Sequence, residues 1–325
     1  MGSEHLAISK QLSSVAPLCP TNVEAPLPLI EFMLRKYRMA FGTDIAASDR
    51  LRAVARHYWK KLKANTLGRL FISEGGRGLR RRIAAIAPQP ARPEVRIAIT
   101  AHIFYLDLAK EIIALRDIFP EPIPVFLTVP FDRAEDLSRI VADVPGVVLF
   151  PCENRGRDIA PFLALLQSGA LDGFDAVLKL HSKRSPHLTD GDLRRKLLFA
   201  MLCGERSATY RTLKAFEEPD TGLVGWRDSY RSDPVFWMTN RARVRDIAER
   251  MQADDVLKLG FFEGSMFWFR PRALDALREL NLTPDAFEAE AGQLDGTLHH
   301  AIERCFTIAA WSRGYTVRDL HGRML

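Results

Sequence analysis

The chain has no apolar run near the roughly 18 residues a membrane-spanning helix requires, and its first residues, MGSEHLAISKQ, lack the apolar core of a secretory signal. Residence in the cytoplasm is the expectation. Cysteine is scarce: Cys19, Cys152, Cys203 and Cys305 are scattered, with no C-x-x-C pair. That excludes a disulfide-built scaffold, makes structural zinc an unexpected feature and leaves reduced thiols as the default. Common signatures are missing too. No G-x-G-x-x-G follows the first strand pattern, and no Walker A sequence, H-E-x-x-H or G-x-S-x-G occurs, which removes the simplest dinucleotide, phosphohydrolase, zinc-peptidase and esterase readings. No solenoid-period repeat is present.

What is there is enough for a large core: 325 residues, 47% of them hydrophobic. The net charge of +6 is uneven, since fourteen Lys and Arg stand against four Asp and Glu between Glu31 and Arg82. Such a block suits a solvated helix face or an anionic membrane surface. No nucleic-acid motif accompanies it, so nucleic acid is not an expected partner. Residues 1 to about 26 read as a flexible lead-in. The runs from Leu29 to Phe41 and from Ala47 to Leu70 have helical spacing. These two helices would dock on the main domain, or lie on a membrane with Arg35, Lys36, Arg38, Lys60, Lys61 and Lys63 toward lipid phosphates; docking is favoured. EGGRGLRRRIAAIAPQPARP, from Glu74 to Pro93, reads as a Gly, Pro and Arg-rich linker. Residues 1–93 thus form an extension, and 94–325 a single α/β domain.

From Val95 the pattern alternates. VRIAITAHIFY is a buried parallel-type strand, LDLAKEIIALRDI a helix, PIPVFLTVP a strand, RAEDLSRIVAD a helix and VVLF a strand. PCENRGRD then makes a polar loop with Asp158 near the cap of the helix IAPFLALL, and DAVLKLHSK returns as a strand. This order predicts a mostly parallel open sheet flanked by helices, with ligands at the carboxyl ends of its strands. Further on, LRRKLLFAMLCG and RARVRDIAERM read as helices, GLVGW as a strand and FFEGSMFWFR as one aromatic strand. PRALDALREL is a helix, a last helix starts near Asp295, and GYTVRDL forms an edge strand.

Three polar constellations stand out. Asn154, Arg155, Gly156, Arg157 and Asp158 surround a helix start, where two guanidinium forks and free backbone N–H groups suit a diphosphate; the alternative is a capping Asp158 with solvated or paired arginines. Lys179, His181 and Lys183, with Arg184 beyond, share one strand face opposite Leu178 and Leu180. A lysine inside an apolar strand either neutralises a buried carboxylate or meets an anionic ligand. The third set is Glu263, Glu288, Glu290 and Asp295. Asp295 faces inward at a helix start, either as an N-cap or as a general base whose pKa is raised by burial and tuned by His299, while His300 and Arg304 take the solvent side.

The combination FPCENRGRDIAPFL, VLKLHSKRS, EGSMFWFRPRAL and GQLDGTLHHAIER resembles the rhamnan synthesis protein F family of bacterial surface-polysaccharide pathways, from about Val95 to Trp311. The order of elements is also similar to GT-A-type glycosyltransferases. In those enzymes an N-x-G segment before a helix leads to a strand ending in an acidic metal-binding motif; here Asn154, Arg155 and Gly156 match the first, and KLHSKR, without an acid, stands at the second. The resemblance implies a glycosyltransferase using a nucleotide-sugar donor, rhamnose by the family's name, and a glycan or lipid-linked acceptor. Because KLHSKR departs from that pattern by lacking a carboxylate, there is no obvious Mg²⁺ or Mn²⁺ site, and no metal or other cofactor is expected. Asn154, Arg155, Gly156, Arg157, Asp158, Lys179, Ser182, Lys183 and Arg184 would hold the donor. Asp295 and His181 would do the chemistry, and Glu263, Gly264, Trp268, Glu290 and His299 would meet acceptor or sugar. A different class remains beside it: a non-catalytic glycan- or nucleotide-sugar-binding component, with Trp226, Tyr230, Phe236, Trp237 and Trp268 as stacking surfaces. Either would work in the cytoplasm, with peripheral contact at the inner face of the plasma membrane.

Overall fold

A computed structural model describes residues 66–86, 90–182 and 191–325, with Arg52, Ala55, Arg56, Trp59 and Leu62 before them. The expected lead-in, the helix expected over 29–41, and Lys183 and Arg184 lie outside the described residues.

A seven-stranded sheet organises the domain, in the order β3-β2-β1-β4-β8-β5-β9. Its strands are β1 (Ile97–His102), β2 (Val125–Pro130), β3 (Val147–Cys152), β4 (Ala176–His181), β5 (Thr221–Gly225), β8 (Phe267–Phe269) and β9 (Thr316–Asp319). Strands β1 to β4 pair in parallel, β8 runs antiparallel between β4 and β5, and β9 closes the edge parallel to β5. A separate two-stranded ribbon joins β6 (Tyr230–Arg231) to β7 (Phe261–Phe262).

Every residue of β1, β2 and β4 is buried, which is why these strands are mostly apolar: helices cover both faces, and the polar exceptions, Thr100, His102, Thr128, Lys179 and His181, fall in the carboxyl-terminal half of each strand. The helices are α1 (Glu74–Ile86), α2 (Ala109–Ile113), α3 (Ala134–Val141), α4 (Ile159–Gln167), α5 (Gly191–Cys203), α6 (Arg206–Lys214), α7 (Arg241–Arg250), α8 (Asp275–Arg278) and α9 (Leu298–Ser312). On one face α4, α7, α8 and α9 pack against Val177, Phe267 and Phe269; on the other α2, α3, α5 and α6 pack against Leu178, Leu180 and Trp268. Helix α9 is buried along most of its length, and small Ala301, Ala309 and Ala310 leave room for Phe306 to meet Phe162 and Phe267 edge-on.

Four elements differ from the sequence pattern. The expected linker over 74–93 is helical from Glu74 to Ile86; Ser73 Oγ accepts from the Gly76 N–H at 3.1 Å and caps it. FFEGSMFWFR is two short strands, because Gly264 (φ 95°) and Ser265 (φ 50°) turn the chain between them. The last helix begins at Leu298, so Asp295 lies before it. Helix α6 follows the end of α5 closely and starts where Glu205 accepts from the N–H groups of Ser207 and Ala208, both at 2.9 Å.

Candidate functional site

Strand order reverses between β1 and β4: β2 and β3 follow on one side, β8 on the other. A crevice at the carboxyl ends of strands forms at such a reversal. His102 and His181, the last residues of β1 and β4, are register partners there. The Ser182 hydroxyl accepts from the backbone N–H groups of Phe104 (2.8 Å) and Tyr105 (2.9 Å), tying the end of β4 to the turn after β1.

Beneath this rim lies a buried ionic cluster. Lys179, 1% exposed, donates to Asp158 Oδ2 at 2.8 Å and to the Ser265 carbonyl at 3.0 Å, with its ammonium 5.0 Å from the Phe162 ring centroid. Burying an ammonium demands such a partner. His181 Nε2 lies 2.7 Å from the Gly264 carbonyl; a carbonyl only accepts, so Nε2 carries the proton and donates. The Gly264 N–H in turn donates to Glu303 Oε1 at 3.0 Å. The turn between β7 and β8 is thus held on both sides, by β4 and by α9. His102 Nδ1 meets Thr128 Oγ1 at 3.0 Å, and burial pushes its pKa down to about 4, leaving it neutral.

A second layer sits around the start of α4. Arg157, at φ 54°, makes a two-pronged pair with Glu290 (2.8 and 2.9 Å) and donates to the Gln293 carbonyl at 2.8 Å. The hydrogen bonds from Arg157 hold the Glu290 carboxyl down at about 2. Arg155 is half-buried and reaches toward Asp285 at 3.7 Å, and Asn154 is exposed. Gly156 is buried at φ 62°, where a Cβ would fall 2.6 Å from Ala160 Cβ and 2.7 Å from Phe287.

The acidic residues toward the C-terminus do not gather into one site; each is held by arginine. Glu263 pairs with Arg231 (2.5 Å) and Arg194 (2.8 Å). Glu288 pairs with Arg243 and accepts from the Leu298 N–H at 2.9 Å, capping α9. Asp295 accepts from the Thr239 hydroxyl (2.6 Å), the Thr239 N–H (3.2 Å) and Asn240 Nδ2 (2.6 Å), with Arg304 at 3.5 Å. Desolvation raises its pKa, but the Arg304 charge and the hydrogen bonds from Thr239 and Asn240 outweigh it, so the net shift is downward. That reverses the expected upward shift.

Several expected positions change with this geometry. Asp158 occupies the N-cap of α4 without capping it, its carboxylate facing Lys179 instead. Of the two roles open for Lys179, the ion pair is the one the structure holds. Arg304 is 3% exposed rather than on a solvent side, because the turn Pro234–Trp237 and β7 cover that flank: it donates to the Phe236 carbonyl at 3.0 Å and lies over the Phe261 ring. His300 is partly buried, and desolvation lowers its pKa to about 3. His299 is buried beside Thr297. Trp268 is wholly buried with its indole N–H on the Leu202 carbonyl at 3.0 Å, so it packs the core and offers no face to a sugar. His102, Thr128, Arg194, Arg231 and Glu303 were not singled out from sequence. Glu303 had one signal, a position one helical turn after His299; the others depend on cross-strand and loop contacts.

The chain matches the family model described as rhamnan synthesis protein F over residues 42–315. Two relatives from Xanthomonas campestris pv. campestris, strains B100 and ATCC 33913, each called uncharacterized protein WxcX, are 31% identical to it over 227 residues. The match covers 67% of this chain and 32% of each relative, so the chain spans about a third of the length of these curated relatives. No solved structure matches it.

Proposed function

Given that the chain belongs to the rhamnan synthesis protein F family, we propose that it is a glycosyltransferase of bacterial surface-polysaccharide assembly. It moves a sugar, rhamnose by the family's description, from a nucleotide-sugar donor to a growing polysaccharide or lipopolysaccharide glycan. One observation carries this function: all four motifs of the resemblance meet in one hydrogen-bonded cluster at the strand-order reversal. Asp158 comes from the first, Lys179 and His181 from the second, Gly264 and Ser265 from the third and Glu303 from the fourth. The parallel run β3-β2-β1-β4 with an antiparallel strand inserted beyond it supports a GT-A-like frame for that site.

Arg155 and the N–H groups at the start of α4 would take the diphosphate, with Arg157 able to exchange Glu290 for phosphate oxygens. Lys183 and Arg184 join this set on sequence grounds, following Ser182 directly. Lys183 and Arg184 would neutralise the leaving diphosphate without a metal, a form of electrostatic transition-state stabilisation. His181 sits under the crevice with Nε2 committed to Gly264. Asp295, saturated by donors, suits holding the approach to α9 better than removing a proton. Transfer would take place in the cytoplasm, at the inner face of the plasma membrane; among the described residues no helix is long and apolar enough to cross one.

The saturation of Asp295 and Lys179 favours one other reading, a binding component that holds a nucleotide sugar or glycan without turning it over. Thermal shift against a panel of nucleoside diphosphates, with and without EDTA, followed by mass analysis of acceptor extension, separates the two. A transferase is stabilised by one nucleotide by a few kcal/mol at many times its Kd, indifferent to EDTA, and extends an acceptor. Arg155→Gln should weaken that nucleotide about tenfold, while the apo stability stays within roughly 0.5 kcal/mol, as for other surface substitutions. Stabilisation by oligosaccharide alone, with no extension, would instead select the binder.

A further inference from the structure

We propose that the exposed apolar side chains of residues 66–86, with Trp59 and Leu62 before them, seat the protein on an anionic lipid surface. This deepens the inner-face location above and rests on it. The segment is already docked by its other side. Gly68 is buried against α5, where a Cβ would come 2.9 Å from Leu197 Cδ2, and Phe71 and Ile72 are half-buried beside it. On a helix, Gly68 lies about 160° around from Leu70. Trp59, Leu62, Leu67 and Leu70 are each more than half exposed.

Past the bend at Ser73 the same character continues. Leu79, Ile83 and Ile86, four and three residues apart, form one stripe on α1, and all three are more than half exposed. The two helical pieces are fastened together: Arg80 donates to the Phe71 carbonyl and its guanidinium stacks 3.8 Å over the Phe71 ring. The apolar stripe is therefore held outward and does not fold back on its neighbour.

Charge selects the occupant. Residues 66–86 carry Arg69, Arg77, Arg80, Arg81 and Arg82 against the single acid Glu74, and Lys60, Lys61 and Lys63 precede them. An apolar stripe with arginines beside it is the composition of a helix lying in a lipid interface, where basic residues are drawn to anionic headgroups. A second copy is disfavoured because the same surface would bring arginines against arginines. The preceding run LIEFMLRKYRMAF is itself basic and meets the same repulsion.

The full chain is mixed with vesicles of phosphatidylcholine alone and of phosphatidylcholine with about one third phosphatidylglycerol, and pelleted. It should pellet with the anionic vesicles only, and release as salt rises toward about 1 M, where screening acts within about 3 Å. Leu79→Gln, Ile83→Gln and Ile86→Gln together should weaken partitioning more than about tenfold, given roughly 0.8 kcal/mol per methylene withdrawn from the interface. All three side chains are exposed, so the melting temperature should hold. Equal pelleting by the triple variant, no pelleting of wild type on anionic vesicles, or a solution dimer dissolved by the triple variant would each overturn the lipid assignment. Nucleotide-induced stabilisation, read on the same samples without vesicles, reports the transferase reading separately: if it persists while lipid binding fails, only the lipid assignment falls.

Discussion

At the scale of single residues the site is governed by saturation. Lys179 and Asp158 are buried together, so removing one takes the ion-pair partner from the other in a largely apolar setting, a loss of roughly 3–5 kcal/mol. Lys179→Met should lower the urea-unfolding free energy by about that amount, and adding Asp158→Asn should recover part of it. A Lys179→Met protein of normal stability that no longer responds to nucleotide would give the lysine back to the ligand. Asp295 meets the same logic from the acceptor side. Asp295→Asn points an NH2 group at donors that had faced an oxygen, costing about 1–3 kcal/mol while turnover at low temperature survives. Abolished turnover with unaltered stability would restore Asp295 as the base.

At the scale of elements, the loop before α4 and the segment from Asp285 to Gln293 behave as one piece. Gly156 is where they touch, and no side chain fits there: its φ is positive and Phe287 stands 2.7 Å from a prospective Cβ. Gly156→Ala should cost about 1–3 kcal/mol through strain and a displaced Phe287, and weaken nucleotide stabilisation by loosening the Arg157–Glu290 clamp. Normal denaturation with a normal nucleotide response would dissociate this contact from the site. The first four strands and their helices are legible because β1, β2 and β4, covered on both faces, are mostly apolar, β3 keeps the short apolar start VVLF, and helical stripes mark what covers them. FFEGSMFWFR defeated the same logic, since its one glycine sits inside an apolar run and only the φ values of Gly264 and Ser265 expose the turn. Helix α1 was obscured by its glycines, although Ser73 stands at its cap. A helical wheel places Arg304 outward, and only the turn Pro234–Trp237 packing over that flank makes it inward.

At the scale of the whole molecule, buried neutral histidines and arginine-held carboxylates make stability depend on pH in two windows. His102 titrates near 4 and His300 near 3, both lowered chiefly by burial. Between those values and the ordinary histidine pKa of about 6.5, the unfolded chain takes up protons that the folded chain refuses, so stability falls as pH drops from about 6.5 toward 4. The carboxylates act lower. Glu290, pulled to about 2 by Arg157, and Glu288, lowered by the Leu298 N–H and Arg243 against desolvation, contribute fully above about 4.5 and lose that contribution as pH falls below it. Melting temperature should therefore decline gently from pH 6.5 to 4.5 and more steeply beneath, followed by circular dichroism. His102→Gln should flatten the upper part, since its amide takes up no proton, at the expense of a lower melting temperature at pH 7 where the Thr128 contact is altered. A wild-type melting temperature constant from pH 6.5 to 4.5 would mean that the folded chain accepts protons at these histidines, and that their surroundings are wetter than their burial indicates.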